Sequence, residues 1–214
     1  MARIIVFGGT GFVGRNIVQA AARRGHEIVV ASRTAVLDGF AKDAVTYTQA
    51  SATDAEAVAE LAADADAVVL ALPAAPDDGL RAALPVVLQA VGDGARVGVV
   101  GDSGSLHLGG PDGPLVMDAA DYPAESLPEA RAQREALEML HAYDGPADWF
   151  YLSPAARFGS MAPGTATGAY RTGDDVLIAA EDGTSTISGA DFALAFVDEL
   201  DDPAHHRARF TVGA

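Results

Sequence analysis

The sequence predicts a doubly wound α/β domain: a parallel sheet with helices on both faces and a small C-terminal lobe on the substrate side. Three observations predict it. Strand-like and helix-like segments alternate through the first hundred residues, which implies β-α-β units with right-handed crossovers. The strand-like runs are continuously apolar, as in a sheet covered on both faces. A glycine-rich turn joins the first strand to the first helix.

The elements follow in order. Arg3–Phe7 is a short apolar run ending in glycines. Phe12–Arg24 carries Val13, Ile17, Val18 and Ala21 at helical spacing and stops at Gly25, a residue that tolerates the left-handed backbone of a helix end. Glu27–Ala31 and the weaker Val45–Gln49 are strands. Asp54–Ala63 is a helix capped by Thr53 or Asp54. Ala67–Leu72 is the fourth strand, Leu80–Val91 a helix and Arg96–Val100 the fifth strand. Residues 101–126 read as a long loop. Leu127–His141 is a helix, Trp149–Leu152 a strand, and residues 154–175 a second Gly/Pro-rich stretch. Ile187–Leu200 includes a helix opened by Ser188 or Asp191, and Arg209–Val212 is the last strand. Residues 1–214 are expected to form a single domain. Long loops after strands lie on the side where open α/β sheets bind ligands.

Composition narrows the function. Fourteen basic residues face 30 acidic ones, a formal net charge of -16. Such a surface repels phosphate backbones and anionic lipid, so neither a nucleic-acid nor a membrane partner is expected. There is no cysteine, which excludes disulfides, thiolate nucleophiles and cysteine-ligated metals. The five histidines, His26, His107, His141, His205 and His206, show no zinc-binding spacing, so no metal is expected. No apolar run approaches the roughly 20 residues of a membrane span. The N-terminus runs straight into a strand, so no signal peptide and a cytoplasmic location are expected. Lys42 is the only lysine; the other 13 bases are arginine.

The segment Gly8-Gly9-Thr10-Gly11-Phe12-Val13-Gly14 carries the chemistry. Gly8 allows a tight turn, Gly11 lets backbone approach a pyrophosphate, and Gly14 lets helix and strand pack closely. The helix N-terminus offers free N–H groups and a positive dipole end to phosphates. The strand–turn–helix context makes this a dinucleotide-binding signature of Rossmann type. At the end of the second strand stands Ser32-Arg33-Thr34. An NAD-preferring site commonly carries an acidic residue there for the ribose 2′-hydroxyl. A guanidinium between two hydroxyls suits a 2′-phosphate, so NADP(H) is expected over NAD(H).

With this N-terminal motif, the chain resembles the atypical short-chain dehydrogenase/reductases. More narrowly it is similar to the small NAD(P)H-binding group that includes NmrA-like proteins, NADH–flavin reductases and biliverdin-IXβ/flavin reductase. The C-terminal half carries the narrower match, in Trp149–Pro154, Thr167–Arg171, Ile187–Ala193 and Arg209–Val212. The broader superfamily uses a Tyr-x-x-x-Lys pair on the helix before the sixth strand, in which Tyr protonates the substrate oxygen and Lys lowers its pKa. This chain departs from that pattern. Aligning Glu135 with the family's glutamate puts Arg131 at the lysine place and Leu127 at the tyrosine place, and Tyr122-x-x-x-Ser126 fails as well. A second departure is Ser51, where relatives carry Asp near the adenine; Ser51 and Ala52 are expected to line that pocket.

Hydride transfer is the cofactor's chemistry, and the protein positions the acceptor. A planar conjugated acceptor such as a flavin, quinone or tetrapyrrole spreads the incoming charge and takes its proton from water. The resemblance to flavin and biliverdin reductases points the same way. The ends of the fourth, fifth and sixth strands, Ala71-Leu72-Pro73, Gly101 with Ser103, and Ser153-Pro154, are expected along the cofactor. Ser103 is the hydrogen-bond donor candidate and Tyr170 a second donor candidate; a turn-forming role for Ser103 is the alternative. Asp102 reads as a solvated loop carboxylate, with a proton relay as the alternative. Arg157, Phe158, Met161 and Arg171 could stack on and pair with a planar anionic acceptor, and His107 could sit on a lid. The expected function is an NADP(H)-dependent reductase acting as a monomer or homodimer. The alternatives are a non-catalytic dinucleotide sensor of NmrA type and a specialised biosynthetic reductase or isomerase.

Overall fold

The computed structural model describes residues 1–34, 44–75 and 77–214; Lys42 lies outside them. Its eight strands are β1 (Arg3–Phe7), β2 (Glu27–Ser32), β3 (Val45–Gln49), β4 (Ala67–Leu70), β5 (Arg96–Val100), β6 (Trp149–Ser153), β7 (Arg171–Gly173) and β8 (Ala208–Gly213). They form one sheet in the order β3-β2-β1-β4-β5-β6-β8-β7. All neighbours are parallel except β7, which runs antiparallel to β8. The strand order reverses between β1 and β4, and open α/β sheets bind ligands in the crevice beyond such a switch point.

Five helices cover the sheet: α1 (Phe12–Arg23), α2 (Ala55–Ala62), α3 (Leu80–Val91), α4 (Leu127–Ala142) and α5 (Gly189–Asp201). Successive strand residues point to opposite faces, and each face has its own core. Ile5, Phe7, Val68, Leu70, Val97, Val99, Trp149 and Tyr151 pack under α2, α3 and α4. Ile4, Val6, Val69, Phe150 and Leu152 pack with Ile17 and Val18 of α1 and Phe192 and Phe196 of α5. Both layers of apolar residues explain why the strands read as unbroken hydrophobic runs.

The helix ends have local causes. The Asp54 carboxylate accepts from the N–H groups of Glu56 and Ala57, both at 3.2 Å, and so starts α2. Ser188 starts α5 by accepting from the N–H of Asp191 at 2.9 Å. These resolve both alternatives left by the sequence. Among the described residues no helix is long and apolar enough to cross a membrane.

The two long loops are anchored segments. The first contains two short 3-10 turns, Val116–Asp118 and Ala124–Ser126. Leu106, Val116 and Met117 are buried in it. The second contains β7, which the sequence did not announce. It holds no apolar run; backbone pairing of Arg171 with Gly213 and Thr172 with Val212 makes it a strand.

Asp191 fixes the second loop. It is buried and accepts from the N–H groups of Thr167 (3.0 Å) and Gly168 (2.8 Å) and from the hydroxyls of Ser188 (2.8 Å) and Thr167 (3.2 Å). Burial alone would raise its pKa, but these hydrogen bonds hold it below the ordinary carboxylate value of 3.8. The anchor is therefore complete above that value and is lost as the pH falls through the lowered pKa. Asp191→Ala is expected to release residues 154–175, measured as faster hydrogen exchange at Thr167 and Gly168 at neutral pH. Unchanged exchange there would refute the anchor.

Candidate active site

The cleft begins at the glycine turn. Gly8 has φ +83°, a conformation that favours glycine, and a Cβ there would stand 2.1 Å from the carbonyl oxygen of Ala71. A Cβ on Gly14 would stand 2.2 Å from the carbonyl oxygen of Gly8. The two glycines thus let β1, β4 and the first turn of α1 meet at van der Waals contact. Gly11 donates its N–H to Gly8 at 3.0 Å and takes the N-cap place of α1 with no side-chain cap and no acidic residue in the first turn. The first N–H groups of an α-helix have no partner within it. Such groups suit an anionic group.

Above this turn lies a cleft of about 320 Å³. The sequence-predicted residues Gly8, Thr10, Gly11, Ser32, Arg33, Thr34, Ser51, Ala52, Ala71, Leu72 and Pro73 all line it. They come from four separate strand ends, which is what parallel strands of matched length produce. The hydroxyl of Ser51 lies 2.8 Å from that of Thr53, so its side chain closes a local turn at the start of α2. Asp78 and Gly79 complete the wall before α3. The Arg33 guanidinium forms an ion pair with Asp78 across the cleft mouth, and both side chains are exposed.

The other expected cofactor residues stand off this wall. Phe12 turns the other way, packing edge-on against Phe158 with ring centres 6.1 Å apart. Val13 packs against the core beneath α1 and α5, and Gly14 supports the turn from below. Gly101 is buried beneath the Tyr151 ring, where a Cβ would stand 2.0 Å from Cε1. Ser153 and Pro154 are buried at the end of β6. Ser103 follows β5, and its carbonyl closes a turn by accepting from Leu106 at 3.1 Å.

The expected acceptor residues do not converge. Tyr170 donates its hydroxyl to Asp198 of α5 at 2.6 Å. Burial, that hydrogen bond and the Asp198 charge push its pKa well above the ordinary phenol value. Arg171 donates to the carbonyl oxygens of Ala214 and Ala179, tying down the C-terminus. Phe158 packs on Phe192 with ring centres 4.6 Å apart. Met161 is fully exposed and Arg157 is exposed. His107 lies in a bridged segment, its Nδ1 2.7 Å from the carbonyl oxygen of Gly113. Among the described residues no group of three or more His, Cys, Asp or Glu could hold a metal ion.

One constellation was not legible in the sequence. Glu129 on α4 accepts from the N–H groups of Ala74 (2.7 Å) and Ala75 (2.8 Å), just beyond the cleft residue Pro73. Gln133, one helical turn on, donates to Glu129 at 3.1 Å and accepts from the Tyr151 hydroxyl at 3.0 Å. That hydroxyl lies 3.4 Å from the N–H of Asp102. Asp102, read from the sequence as a solvated loop carboxylate, is half-buried, and its Oδ1 is sealed from solvent with no hydrogen-bond partner.

A glycine turn at the sheet's switch point, an uncapped helix N-terminus and a cleft lined from four strand ends define a dinucleotide-binding protein. The chain belongs to the NAD(P)H-binding family, whose model matches residues 8–203. It is 36% identical over 216 residues to the uncharacterized protein YwnB of Bacillus subtilis (strain 168), covering 98% of this chain and 97% of YwnB. Among solved structures, a Bacteroides thetaiotaomicron protein provisionally assigned as an epimerase is 33% identical with a TM-score of 0.87, covering 99% of this chain and 96% of its own. A Streptococcus pneumoniae TIGR4 protein provisionally assigned as an NADH-flavin reductase is 28% identical with a TM-score of 0.86, covering 100% and 99%. The fold is that of NAD(P)-binding oxidoreductases, and the resemblance stated from the sequence motifs holds.

Proposed function

We propose that this chain is an NADP(H)-dependent reductase that passes hydride to a planar conjugated acceptor, a flavin, quinone or tetrapyrrole-like molecule, in the cytoplasm. The observation that carries the reading is the single cleft joining the glycine turn to Arg33 at the end of β2. The first turn of α1, with Thr10 and Gly11, would hold the pyrophosphate. Ala71, Leu72 and Pro73 would flank the ribose on the same side, and Ser51 and Ala52 would face the adenine. Ser32, Arg33 and Thr34 would take the 2′-phosphate. The reduced nicotinamide supplies the hydride when bound. The protein's part is to fix that ring beyond the ends of β4, β5 and β6 and to keep the acceptor against it.

Asp78 sharpens the cofactor preference. An exposed ion pair is worth about 0–1 kcal/mol, whereas a charge-assisted hydrogen bond from Arg to phosphate is worth about 1.5–3 kcal/mol. A 2′-phosphate therefore displaces Asp78 from Arg33, while a 2′-hydroxyl does not. Arg33→Ala is expected to weaken NADPH binding about 10- to 100-fold and leave NADH within about threefold. Asp78→Asn removes the competitor and is expected to tighten NADPH about fivefold with little change for NADH. Equal effects on both nucleotides, by titration calorimetry, would remove Arg33 as the 2′-phosphate reader.

The direct test mixes protein with NADPH and with NADH and follows nucleotide absorbance in the presence of FMN, riboflavin, a quinone and biliverdin. Consumption of NADPH above the protein-free rate with one acceptor supports the reductase. Tight NADPH binding with no turnover on any acceptor would favour a sensor instead.

A further inference from the structure

The cleft described above ends near a group that the proposed reaction has not used. Asp102 follows β5, and β4 pairs with β5 so that Leu70 faces Val99. Glu129, whose charge acts on Asp102, also accepts from the N–H groups of Ala74 and Ala75, next to the cleft residue Pro73. A Cβ built on Gly104 would stand 2.8 Å from Asp102 Oδ2 and 3.4 Å from the Tyr122 hydroxyl. A side chain at this position would collide with Asp102 and with Ala130 at 2.7 Å, so glycine is what lets the carboxyl and the phenol lie close to the same turn. On the neighbouring strand, Ser153 is fully buried and its hydroxyl also has no partner. Alternation along β6 puts it on the Tyr151 side of the sheet, the side from which Tyr151 reaches Asp102. Buried polar atoms are rarely left unpaired without a reason in function or strain. Two of them lie at the carboxyl ends of adjacent strands, the side on which open α/β sheets bind ligands.

We propose that Asp102, flanked by Tyr122, is the proton donor of the reductase. The inference rests on the reductase reading. The two electrons come from the reduced nicotinamide as hydride. As the acceptor's heteroatom takes the displaced electron pair, the Asp102 O–H bond breaks and its proton passes to that atom. The carboxylate left behind is reprotonated from solvent. This chemistry selects an acceptor that must gain a proton on oxygen or nitrogen as it gains hydride, such as a quinone or a conjugated carbonyl. It replaces the Tyr/Lys pair that the chain lacks with a carboxylic acid.

The electrostatics agree. Burial is the largest influence on Asp102, and with the Glu129 carboxylate on α4 it raises the acid. Hydrogen bonds from the Gly104 and Asp102 N–H groups and the Arg209 guanidinium on β8 lower it by less. Arg209 is itself held by Asp175 and Ser105. The phenols of Tyr122 and Tyr151 complete the surroundings, and both are pushed above the ordinary value of 10.0. The balance lifts Asp102 from 3.8 to about 7, so the acid keeps a proton to give near neutral pH.

Asp102→Asn tests this with and without cofactor. A raised carboxylate pKa means that the folded protein binds a proton the unfolded chain has already released. In cofactor-free protein, wild-type Tm is expected to fall relative to Asp102→Asn as the pH rises from about 4 to about 7, then level off. A protonated-carboxyl infrared band at pH 6 is expected in the wild type and absent from the variant. A flat Tm difference with no such band would overturn the proposal. In turnover of a quinone with NADPH, wild-type kcat/KM is expected to fall about tenfold per pH unit above about 7. The variant is expected to be about 100-fold slower with that limb gone. A variant with wild-type rate and pH profile would overturn the proton donor while leaving the reductase intact. Absence of turnover in the wild type with every acceptor would overturn both.

Discussion

Alanine at Gly14 is expected to abolish dinucleotide binding and to cost the fold about 3 kcal/mol or more. The added methyl would stand 2.2 Å from the Gly8 carbonyl oxygen and 2.7 Å from the Gly9 Cα. Both are backbone atoms of the turn that forms the cleft floor, so no side chain can rotate away. Relief would require α1 to shift from β1, carrying the N–H groups of its first turn with it. A loss of at least about 100-fold in NADPH affinity is expected by calorimetry, with a lowered denaturation midpoint. Gly11→Ala is the control. Its Cβ would meet only the Gly8 carbonyl oxygen at 3.4 Å, and its backbone, at φ -77°, suits any residue. Gly11→Ala should therefore fold within about 1 kcal/mol of the wild type. It should still lose NADPH affinity if the pyrophosphate sits on this turn as proposed, because Gly11 lines the cleft there. Gly14→Ala protein that binds NADPH as tightly as the wild type would remove the glycine turn from the cofactor site.

Glu199→Ala is expected to destabilise the protein by about 3–5 kcal/mol, with the cleft itself untouched. Arg96 at the start of β5 donates to Glu199 Oε1 at 2.8 Å, to the Glu199 carbonyl oxygen at 2.6 Å and to Asp148 at 2.9 Å. Glu199 also accepts from the N–H groups of Ala204 and His205 at 3.0 and 2.9 Å, and its Oε2 lies 2.7 Å from His205 Nδ1. Its side chain is 3% exposed and that of Arg96 10%. Removing the carboxylate takes from the buried guanidinium one of its two ion-pair partners, leaving it Asp148, and leaves two N–H groups unpaired, which is the costly way to break such a network. Burial alone would raise Glu199, but hydrogen bonds from His205 and Arg96 hold it below the ordinary value of 4.5. Its contribution is thus complete above that value and is lost as the pH falls through the lowered pKa. Urea unfolding should show a wild-type advantage over Glu199→Gln that is constant at neutral pH and shrinks below about 4. An advantage independent of pH would mean that packing, and not charge, holds this corner.

Much of the scaffold was written locally. The apolar runs of β1, β2, β4, β5 and β6 and the helical period of α1 are fixed by hydrophobic periodicity, which needs no partner to be read. The glycine turn was legible because the residues that make it are contiguous. The eleven cleft residues read from strand ends came together because topology alone aligns the ends of parallel strands.

What the tertiary structure decided depends on residues far apart in the chain. β7 exists through its hydrogen bonds to β8, which no pattern in Arg171–Gly173 announces. Arg33 meets Asp78 across 45 residues, so the proposed 2′-phosphate reader has a competitor that its own neighbourhood does not reveal. Tyr170 lost its standing as a free donor when α5 brought Asp198 to its hydroxyl. Asp102 sits among loop-forming residues, and local composition assigns such a carboxylate to solvent. Glu129 of α4, Tyr151 of β6 and the Gly104 turn instead leave it half-buried with one carboxyl oxygen sealed. The sequence by itself determined the sheet, the phosphate turn and the cofactor class, because those follow from short-range pattern. Tertiary structure alone decided which acids and hydroxyls are desolvated, because desolvation is a property of everything packed around a group.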